Sequence, residues 1–156
     1  MSAWLPAERA VLLLSLVAAA EAGAGDEVPV GAVLTDDQGR LLAVRGNDCI
    51  AGSDPVGHAE MRVLRQAAGR LRNYRLCAAR LTVSLEPCPM CRQAAGLARV
   101  AGIRYAARRN PAAASLQDPM ASLDPTYETV AVALLQFFFS ARRADLNSGE
   151  ESVLIP

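Results

Sequence analysis

The chain has 156 residues, enough for one folded domain that can bury a core without disulfides. Its apolar fraction of 52% excludes an intrinsically disordered protein. The formal net charge is zero, but residues 61–110 contain eleven arginines and only one acid, Glu86, so this segment carries +10 and the remainder −10.

The first predicted element is a helix over residues 6–23, begun by Pro6 and ended by two nearby glycines. Its apolar run from Val11 to Ala20 resembles the core of a signal peptide, but Glu8 cancels the charge of Arg9 and leaves no basic leader. A run of about ten residues is also too short to span a bilayer. We therefore expect a core helix, no membrane segment and a cytoplasmic location.

Two β-rich runs follow, over residues 28–34 and 40–45. Between them Asp36-Asp37-Gln38-Gly39 is a hairpin turn signal. Residues 47–57 are rich in Gly, Asp and Ser and are expected to form a loop. The sequence thus predicts a β-hairpin and a long loop that leads into the second helix.

The second helix is expected to begin just after Asp54-Pro55 and to reach residues 66–69, with His58 and Glu60 near its start. On an ideal helix, residues two apart point about 200° from each other. His58 and Glu60 can therefore serve one metal centre only in the first turn, where side chains converge beyond the helix end. The Asp-Pro pair just upstream places them there.

The next strand is expected at residues 81–85, where Pro87 stops it. A third helix is expected to begin at Cys88-Pro89 and to run toward Arg99. Cys88 and Cys91 then lie at a helix N-terminus, where backbone N–H groups stabilise a thiolate.

A fourth strand is expected at residues 103–106, followed by a Pro-, Ala- and Ser-rich loop over 110–125. The last helix begins at Asp124-Pro125 and reaches about residue 145. Its predicted apolar face consists of Val130, Leu134, Phe137, Phe138 and Ala141. Strands that alternate with helices predict an α/β sandwich. We expect one domain over residues 1–147 and a frayed tail over 148–156.

The most informative residues are His58-Ala59-Glu60 and Pro87-Cys88-Pro89-Met90-Cys91. One histidine and two cysteines can bind Zn²⁺ and leave its fourth position open, as in a catalytic site. Water at that position has its pKa lowered toward about 7. Glu60 cannot easily become the fourth ligand and is free to move protons. This H-x-E and P-C-x-x-C pattern is the signature of the zinc nucleobase deaminases.

A CxxC motif alone has other interpretations, including a redox pair or half of a structural zinc site. A structural site needs a fourth ligand, whereas Cys49 and Cys77 are isolated and His58 is the only histidine. A redox pair does not explain the His-Ala-Glu triplet. Metal-binding thiolates also fit a reducing compartment such as the cytosol.

Further stretches resemble one branch of these deaminases. The chain is similar to the bacterial tRNA-specific adenosine deaminases from about residue 6 to residue 145. Beside the zinc motifs, the matching stretches are Glu27-Val28-Pro29-Val30-Gly31-Ala32-Val33, Gly46-Asn47, Asp54-Pro55, Leu64-Arg65, Asn73-Tyr74-Arg75-Leu76 and Leu85-Glu86. The zinc motifs are shared by the whole cytidine deaminase-like superfamily. The stretches at 27–32 and 73–76 are more particular to the tRNA-editing branch and its small-molecule relatives.

The resemblance implies a cytidine deaminase-like three-layer α/β/α sandwich with a mixed central sheet of about five strands. It implies a homodimer that converts adenosine to inosine at the wobble position of a tRNA anticodon stem-loop, with the base flipped into the zinc pocket. His58, Cys88 and Cys91 would then hold one Zn²⁺ per chain, and Glu60 would be the catalytic proton carrier.

The same resemblance assigns further residues to the substrate. Asn47 would hydrogen-bond the purine, and Val28 and Val30 would shape its pocket. The residues that match an RNA-facing run on the last helix are Phe137, Phe138, Arg142 and Arg143. Each also has an ordinary interpretation, because an asparagine can cap a turn and phenylalanines can fill a core.

The chain departs from the family pattern near the expected RNA contacts. The editing enzymes usually carry Gly-Ala-x-Asp-x-Lys-x-Gly-Ala-x-Gly-Ser after the fourth strand, whereas residues 106–115 lack the aspartate, lysine and glycines. Arg92-Gln93-Ala94 replaces a Gly-Ala or Ala-Gly-Ala stretch, and Gly57 stands where alanine is usual. Either the enzyme is retargeted to a small molecule, or Arg108 and Arg109 replace the lost phosphate contact.

Three hypotheses follow. A tRNA adenosine deaminase leads, supported by the +10 segment because arginine suits phosphate; the alternative for this charge is that the arginines are scattered and solvated. The second hypothesis is a small-molecule deaminase that acts on guanine, cytosine or a nucleoside. The third is a non-catalytic zinc protein, but that class usually lacks the proton-carrying glutamate.

Overall fold

The computed structural model describes residues 6–110 and 121–148. The elements are helix α1 (Pro6–Ala24), strands β1 (Gly31–Thr35) and β2 (Leu41–Gly46), helix α2 (Ala59–Leu71), strand β3 (Arg80–Leu85), helix α3 (Pro89–Leu97), strands β4 (Gly102–Ala107) and β5 (Ala121–Leu123), a 3-10 turn (Pro125–Tyr127) and helix α4 (Glu128–Ser148).

The five strands form one mixed sheet in the order β2-β1-β3-β4-β5. Strand β1 runs antiparallel to both β2 and β3, while β3, β4 and β5 run parallel to one another. The mixed sheet of about five strands that the resemblance implies is confirmed, although the sequence pattern itself located only four of the strands.

Helices cover both faces of the sheet, as the predicted three-layer sandwich requires. Helices α2 and α3 contribute to one core with β1 and β3, around Val63, Ala95 and Leu81. Helices α1 and α4 pack together on the other face, where Leu12 and Ala131 contact the end of β4. The apolar run that resembles a signal peptide thus supplies the buried residues of α1, among them Leu12 and Leu16, while Leu13 and Val17 of the same run are about half exposed. Among the described residues, no helix is long and apolar enough to cross a membrane.

The ends of four strands meet at one edge of the sheet. Gly31 at the start of β1 pairs with Gly46 at the end of β2, and Leu85 at the end of β3 pairs with Ala107 at the end of β4. Helix α1 crosses this edge so closely that a Cβ on Gly31 would lie 2.1 Å from the carbonyl oxygen of Ser15. The loops that bear the candidate site residues therefore leave from the same edge.

Strand β1 begins later than predicted, at Gly31 rather than Val28. Pro29 has no N–H for a strand ladder, and the N–H of Val28 donates to the Glu27 carboxylate at 2.9 Å. Strand β5 was also missed, since residues 121–123 fall inside the predicted loop. The rest of that loop lies outside the described residues, apart from its first and last positions.

The predicted apolar face of α4 is partly wrong. Val130 is 48% exposed and Phe137 is 79% exposed, whereas Ala131 and Phe138 are buried. The helix is apolar on more than one side, so its sequence does not define which side packs. Of the predicted tail, all but Ser148 lies outside the described residues.

Candidate active site and metal centre

The candidate metal ligands lie where two helices begin. His58 is the N-cap of α2 and Cys88 is the N-cap of α3, both with extended backbone. Pro89 occupies the first turn of α3, where its missing N–H costs nothing. Both helices thus begin at the same end of the sheet, and the predicted position of Cys88 at the start of a helix is confirmed.

The three donor atoms lie at the separations that a zinc ion requires. His58 Nδ1 lies 3.7 Å from Cys88 Sγ and 3.5 Å from Cys91 Sγ, and all three ligand atoms lie within 4.8 Å of one another. Tetrahedral zinc with Zn–N near 2.0 Å and Zn–S near 2.3 Å places a nitrogen and a sulfur about 3.5 Å apart. His58, Cys88 and Cys91 could therefore hold Zn²⁺ without rearrangement.

Cys91 is buried beside the Glu60 carboxyl. Its side chain is fully buried, and this burial raises the pKa of the Cys91 thiol far above its usual value, with the Glu60 carboxylate raising it further. A bound divalent cation reverses this preference and holds the sulfur as a thiolate.

Glu60 lies in the first turn of α2 and is only 2% exposed. Burial raises the pKa of the Glu60 carboxyl above its ordinary value, while its own backbone N–H and the nearby His58 act in the opposite direction. Its Oε2 atom is buried and has no hydrogen-bond partner within residues 6–110 and 121–148. A buried carboxyl with a raised pKa and one free oxygen suits proton transfer to and from a bound molecule.

Asn47 connects the β2 loop to the start of α2. Its Oδ1 accepts a hydrogen bond from the N–H of Ala59 at 2.8 Å, so it caps a helix whose N-cap residue, His58, makes no side-chain cap. This bond fixes the orientation of the amide. In the described part of the chain Nδ2 makes no hydrogen bond to protein, which leaves its N–H groups available to a ligand.

The loop before β1 packs against the core that holds the start of α2. Val30 is buried in this core with Ala59, and Val28 packs against the same cluster. Glu27, to which the sequence analysis gave no role, is 3% exposed and accepts hydrogen bonds from the N–H groups of Val28 and Ile50. It ties the loop before β1 to the loop after β2. The one sequence feature that could have pointed to Glu27 is its position as an acidic residue directly before an apolar run.

Arg108 and Arg109 follow β4 at the same edge as the metal ligands. Arg109 is exposed, and its Nη2 donates to the main-chain oxygen of Glu86 at 3.2 Å. Its charge lies near enough to Glu60 to favour the ionised carboxylate slightly. Arg108 is half-buried, and its Nε has no partner among the residues that the structure describes.

The α4 residues divide into two kinds. The Arg142 guanidinium lies 4.7 Å from the centre of the Phe138 ring and donates to the main-chain oxygen of Asp26 at 2.7 Å. Because Phe138 is only 7% exposed, the structure favours a packing role for it over the predicted RNA contact. Phe137 and Arg143 are exposed. A mostly apolar groove of about 490 Å³ separates this helix from the end of α1.

Three arginines of the +10 segment pair with acids from elsewhere in the chain. Ion pairs join Arg62 to Asp48 at 3.4 Å and Arg104 to Glu8 at 2.6 Å. Arg65 lies 3.7 Å from an Asp54 oxygen. The charge asymmetry of the sequence is therefore smaller in space than along the chain.

Comparison with known proteins identifies the family. Residues 7–107 match the cytidine and deoxycytidylate deaminase zinc-binding region. The chain belongs to this family. The match confirms the predicted resemblance and the predicted zinc cofactor.

Two curated relatives act on different substrates. Over 95 residues the chain is 46% identical to the tRNA-specific adenosine deaminase of Agrobacterium fabrum. This alignment covers 61% of this chain and 62% of that enzyme. Over 90 residues the chain is 40% identical to the guanine deaminase of Bacillus subtilis. This alignment covers 58% of this chain and 57% of that enzyme. Each alignment thus spans less than two thirds of the relative.

A solved structure extends the similarity. The chain is 34% identical, with a TM-score of 0.72, to a structure from work on A-to-I editing by tRNA:A34 deaminases at the wobble position of transfer RNA. The superposition covers 81% of this chain and 99% of that chain.

Proposed function

We propose that this protein is a zinc-dependent hydrolase that converts adenosine to inosine at the wobble position of tRNA anticodons. The observation that carries the proposal is the site itself, three metal-ligand atoms beside a buried carboxylate with one free oxygen. The similarity to the tRNA:A34 deaminase structure over nearly all of that chain supports the choice of substrate.

His58, Cys88 and Cys91 hold the metal, and zinc so bound lowers the pKa of water toward about 7. Glu60 moves the protons. Its carboxylate accepts a proton from the attacking water and delivers it to the ring nitrogen beside the reacting carbon. It then accepts the remaining proton of the added hydroxyl and delivers it to the departing amine, which leaves as ammonia while the carbonyl of inosine forms. Because Glu60 is almost fully buried, bulk water does not compete for these transfers.

Asn47 and the valines bind the base. The Asn47 Oδ1 is held by the start of α2, so its Nδ2 is oriented to donate to a purine acceptor. Val28 and Val30 provide an apolar wall against the ring face. A flipped base can therefore be held by one directed hydrogen bond and by packing.

The surface around the pocket mouth supports an anticodon stem-loop as substrate. Arg108 and Arg109 follow β4 beside the site and would contact phosphates. Arg142, Arg143 and the exposed Phe137 lie on α4, whose Arg142 contacts Asp26 in the loop that precedes β1. We also propose a cytoplasmic location. The protein would act as a homodimer, in which the second subunit would cover the exposed Leu71 of α2 and Leu97 of α3.

The test is inosine at the wobble position of substrate tRNA after incubation with zinc-loaded protein. A parallel reaction contains the Glu60→Gln protein with the same zinc content. We expect inosine only with the unmodified protein. Equal inosine in both reactions would contradict the proposed role of Glu60, and none in either would contradict the substrate.

A second candidate is deamination of guanine. It is favoured by the similarity to the Bacillus subtilis enzyme and by the replaced loop after β4. Ammonia release from free guanine without inosine formation in tRNA would establish it in place of the first proposal.

A further inference from the structure

Glu86 lies between the end of β3 and the first metal-binding cysteine, and two arginines from different segments converge on it. Arg92 of α3 places Nη2 2.5 Å from Glu86 Oε1, and both side chains are largely buried, with 19% and 18% exposed. The main-chain N–H of Arg109, just after β4, donates to Glu86 Oε2 at 3.2 Å. Both carboxylate oxygens are thus engaged.

The same arginines also hold the main chain on either side of the metal motif. Arg92 Nε donates to the Pro87 oxygen at 3.1 Å, and Arg109 Nη2 donates to the Glu86 oxygen at 3.2 Å. The Glu86 N–H donates to the Ala107 oxygen at 2.8 Å. These bonds fix residues 86 and 87, and Cys88 is the next residue.

The cluster joins segments that are distant in the sequence. Arg92 lies on α3, and Arg109, 17 positions later, follows the end of β4. In the structure they are two parts of one cluster centred on Glu86.

We propose that Glu86 is a positioning residue that, through Arg92 and Arg109, fixes the direction of Cys88 Sγ and ties the 107–109 segment to the start of α3. Cys88 is a half-buried N-cap with no side-chain cap bond of its own, so its orientation depends on its neighbours. The inference uses the proposed metal site, but it does not depend on which base is deaminated.

The first test measures zinc affinity by competition with a chelator. Loss of a group that supports a metal ligand typically costs 10–100-fold in metal affinity or activity. We expect Glu86→Gln and Arg92→Gln each to weaken zinc binding by about 10–100-fold. The Glu86→Gln, Arg92→Gln double variant should be little worse than either single one, because both changes break the same contact.

A matched control separates positioning from general destabilisation. Arg104 forms an ion pair with Glu8 at 2.6 Å and with similar exposure, 22% and 29%, but it joins β4 to α1 on the other side of the sheet. Arg104→Gln should leave zinc affinity unchanged. An equal loss of zinc affinity in Arg104→Gln and Glu86→Gln would overturn the proposal.

The second readout is the absorption spectrum of the cobalt-substituted protein, which reports the thiolate geometry directly. Glu86→Gln should shift the sulfur-to-cobalt band, and in an active preparation it should lower kcat with little change in KM. Zinc affinity within twofold of the unmodified protein together with an unchanged spectrum would overturn the proposal.

Where Glu86→Gln does not fold, Arg92→Lys is the second variant. Lysine lacks the planar fork of arginine and cannot contact both Glu86 and the Pro87 oxygen. Altered metal binding without deamination of any tRNA would contradict the proposed function and leave this inference standing.

Discussion

At the scale of single residues, the start of α2 combines three roles in three neighbouring side chains. His58 supplies a metal donor, Glu60 supplies a buried carboxyl, and Asn47 caps the helix from outside. All three side chains lie at the N-terminus of α2. A substitution that keeps the size and the backbone contacts of one side chain should therefore leave the other two in place.

Glu60→Gln should retain zinc and lose about 10²–10⁴-fold in kcat, the usual worth of general acid–base catalysis. Glutamine keeps the size of the side chain but cannot accept and return a proton. Zinc content by elemental analysis and single-turnover rates are the two measurements. Near-normal turnover would mean that another group moves the protons.

The two functions of Asn47 can be separated by a pair of substitutions. Asn47→Asp keeps an acceptor for the Ala59 N–H but removes the Nδ2 donor, whereas Asn47→Ala removes both. Alanine should therefore lower the free energy of unfolding by about 0.5–2 kcal/mol, and aspartate should not. Both should lower kcat/KM. Denaturant unfolding and steady-state kinetics on the two proteins test this, and full activity of Asn47→Asp would show that the asparagine is only a cap.

At the scale of elements, the sequence predicted those whose boundaries are set by local chemistry. Pro6, the Asp36–Gly39 turn and Pro89 mark boundaries that the structure reproduces closely. The elements that were missed depend on partners distant in sequence. Strand β5 has three residues and exists through pairing with β4, and the packed side of α4 is chosen by α1.

The candidate site likewise has a part that the sequence predicts and a part that it does not. The metal-ligand set of His58, Cys88 and Cys91 could be predicted because each residue lies at a helix start that its own neighbours define. The role of Glu27 and the contacts of Arg92 and Arg109 with Glu86 could not be predicted. Both depend on hydrogen bonds to residues more than twenty positions away.

The contact between α1 and β1 can be tested with two glycines. A Cβ on Gly31 would lie 2.1 Å from the Ser15 oxygen and 2.5 Å from the Ala19 nitrogen, both backbone atoms that cannot move without shifting α1. Gly31→Ala should therefore lower the free energy of unfolding by at least about 1–3 kcal/mol. Gly69→Ala is the control, because nothing lies within 4 Å of a Cβ there and alanine favours the helix by about 0.5–1 kcal/mol. Urea unfolding in which both variants behave alike would contradict this packing.

At the scale of the whole molecule, two arginines supply positive charge beside the candidate site. Arg62 and Arg104 pair with acids elsewhere in the chain, whereas Arg108 and Arg109 lie beside the metal ligands. The zero net charge of the chain therefore does not oppose RNA binding.

Replacing Arg108 and Arg109 with serine should weaken binding of an anticodon stem-loop and reduce its salt dependence. Each lost phosphate contact should change the slope of log affinity against log salt by about 0.7 on single-stranded RNA. Arg40→Ser is the matched control, since Arg40 lies on the β1–β2 hairpin at the opposite end of the sheet and pairs with Asp36. Binding isotherms at several salt concentrations measure the slopes. Equal slopes for all three proteins would exclude a phosphate contact at Arg108 and Arg109.

The most direct test of the central claim is a competition in one reaction mixture. Zinc-loaded protein is incubated with an anticodon stem-loop that carries adenosine at the wobble position and with free guanine, and inosine and xanthine are measured over time. We predict that inosine forms at the wobble position and that guanine is not consumed. Accumulation of xanthine with the wobble adenosine intact would contradict the account and identify a small-molecule deaminase.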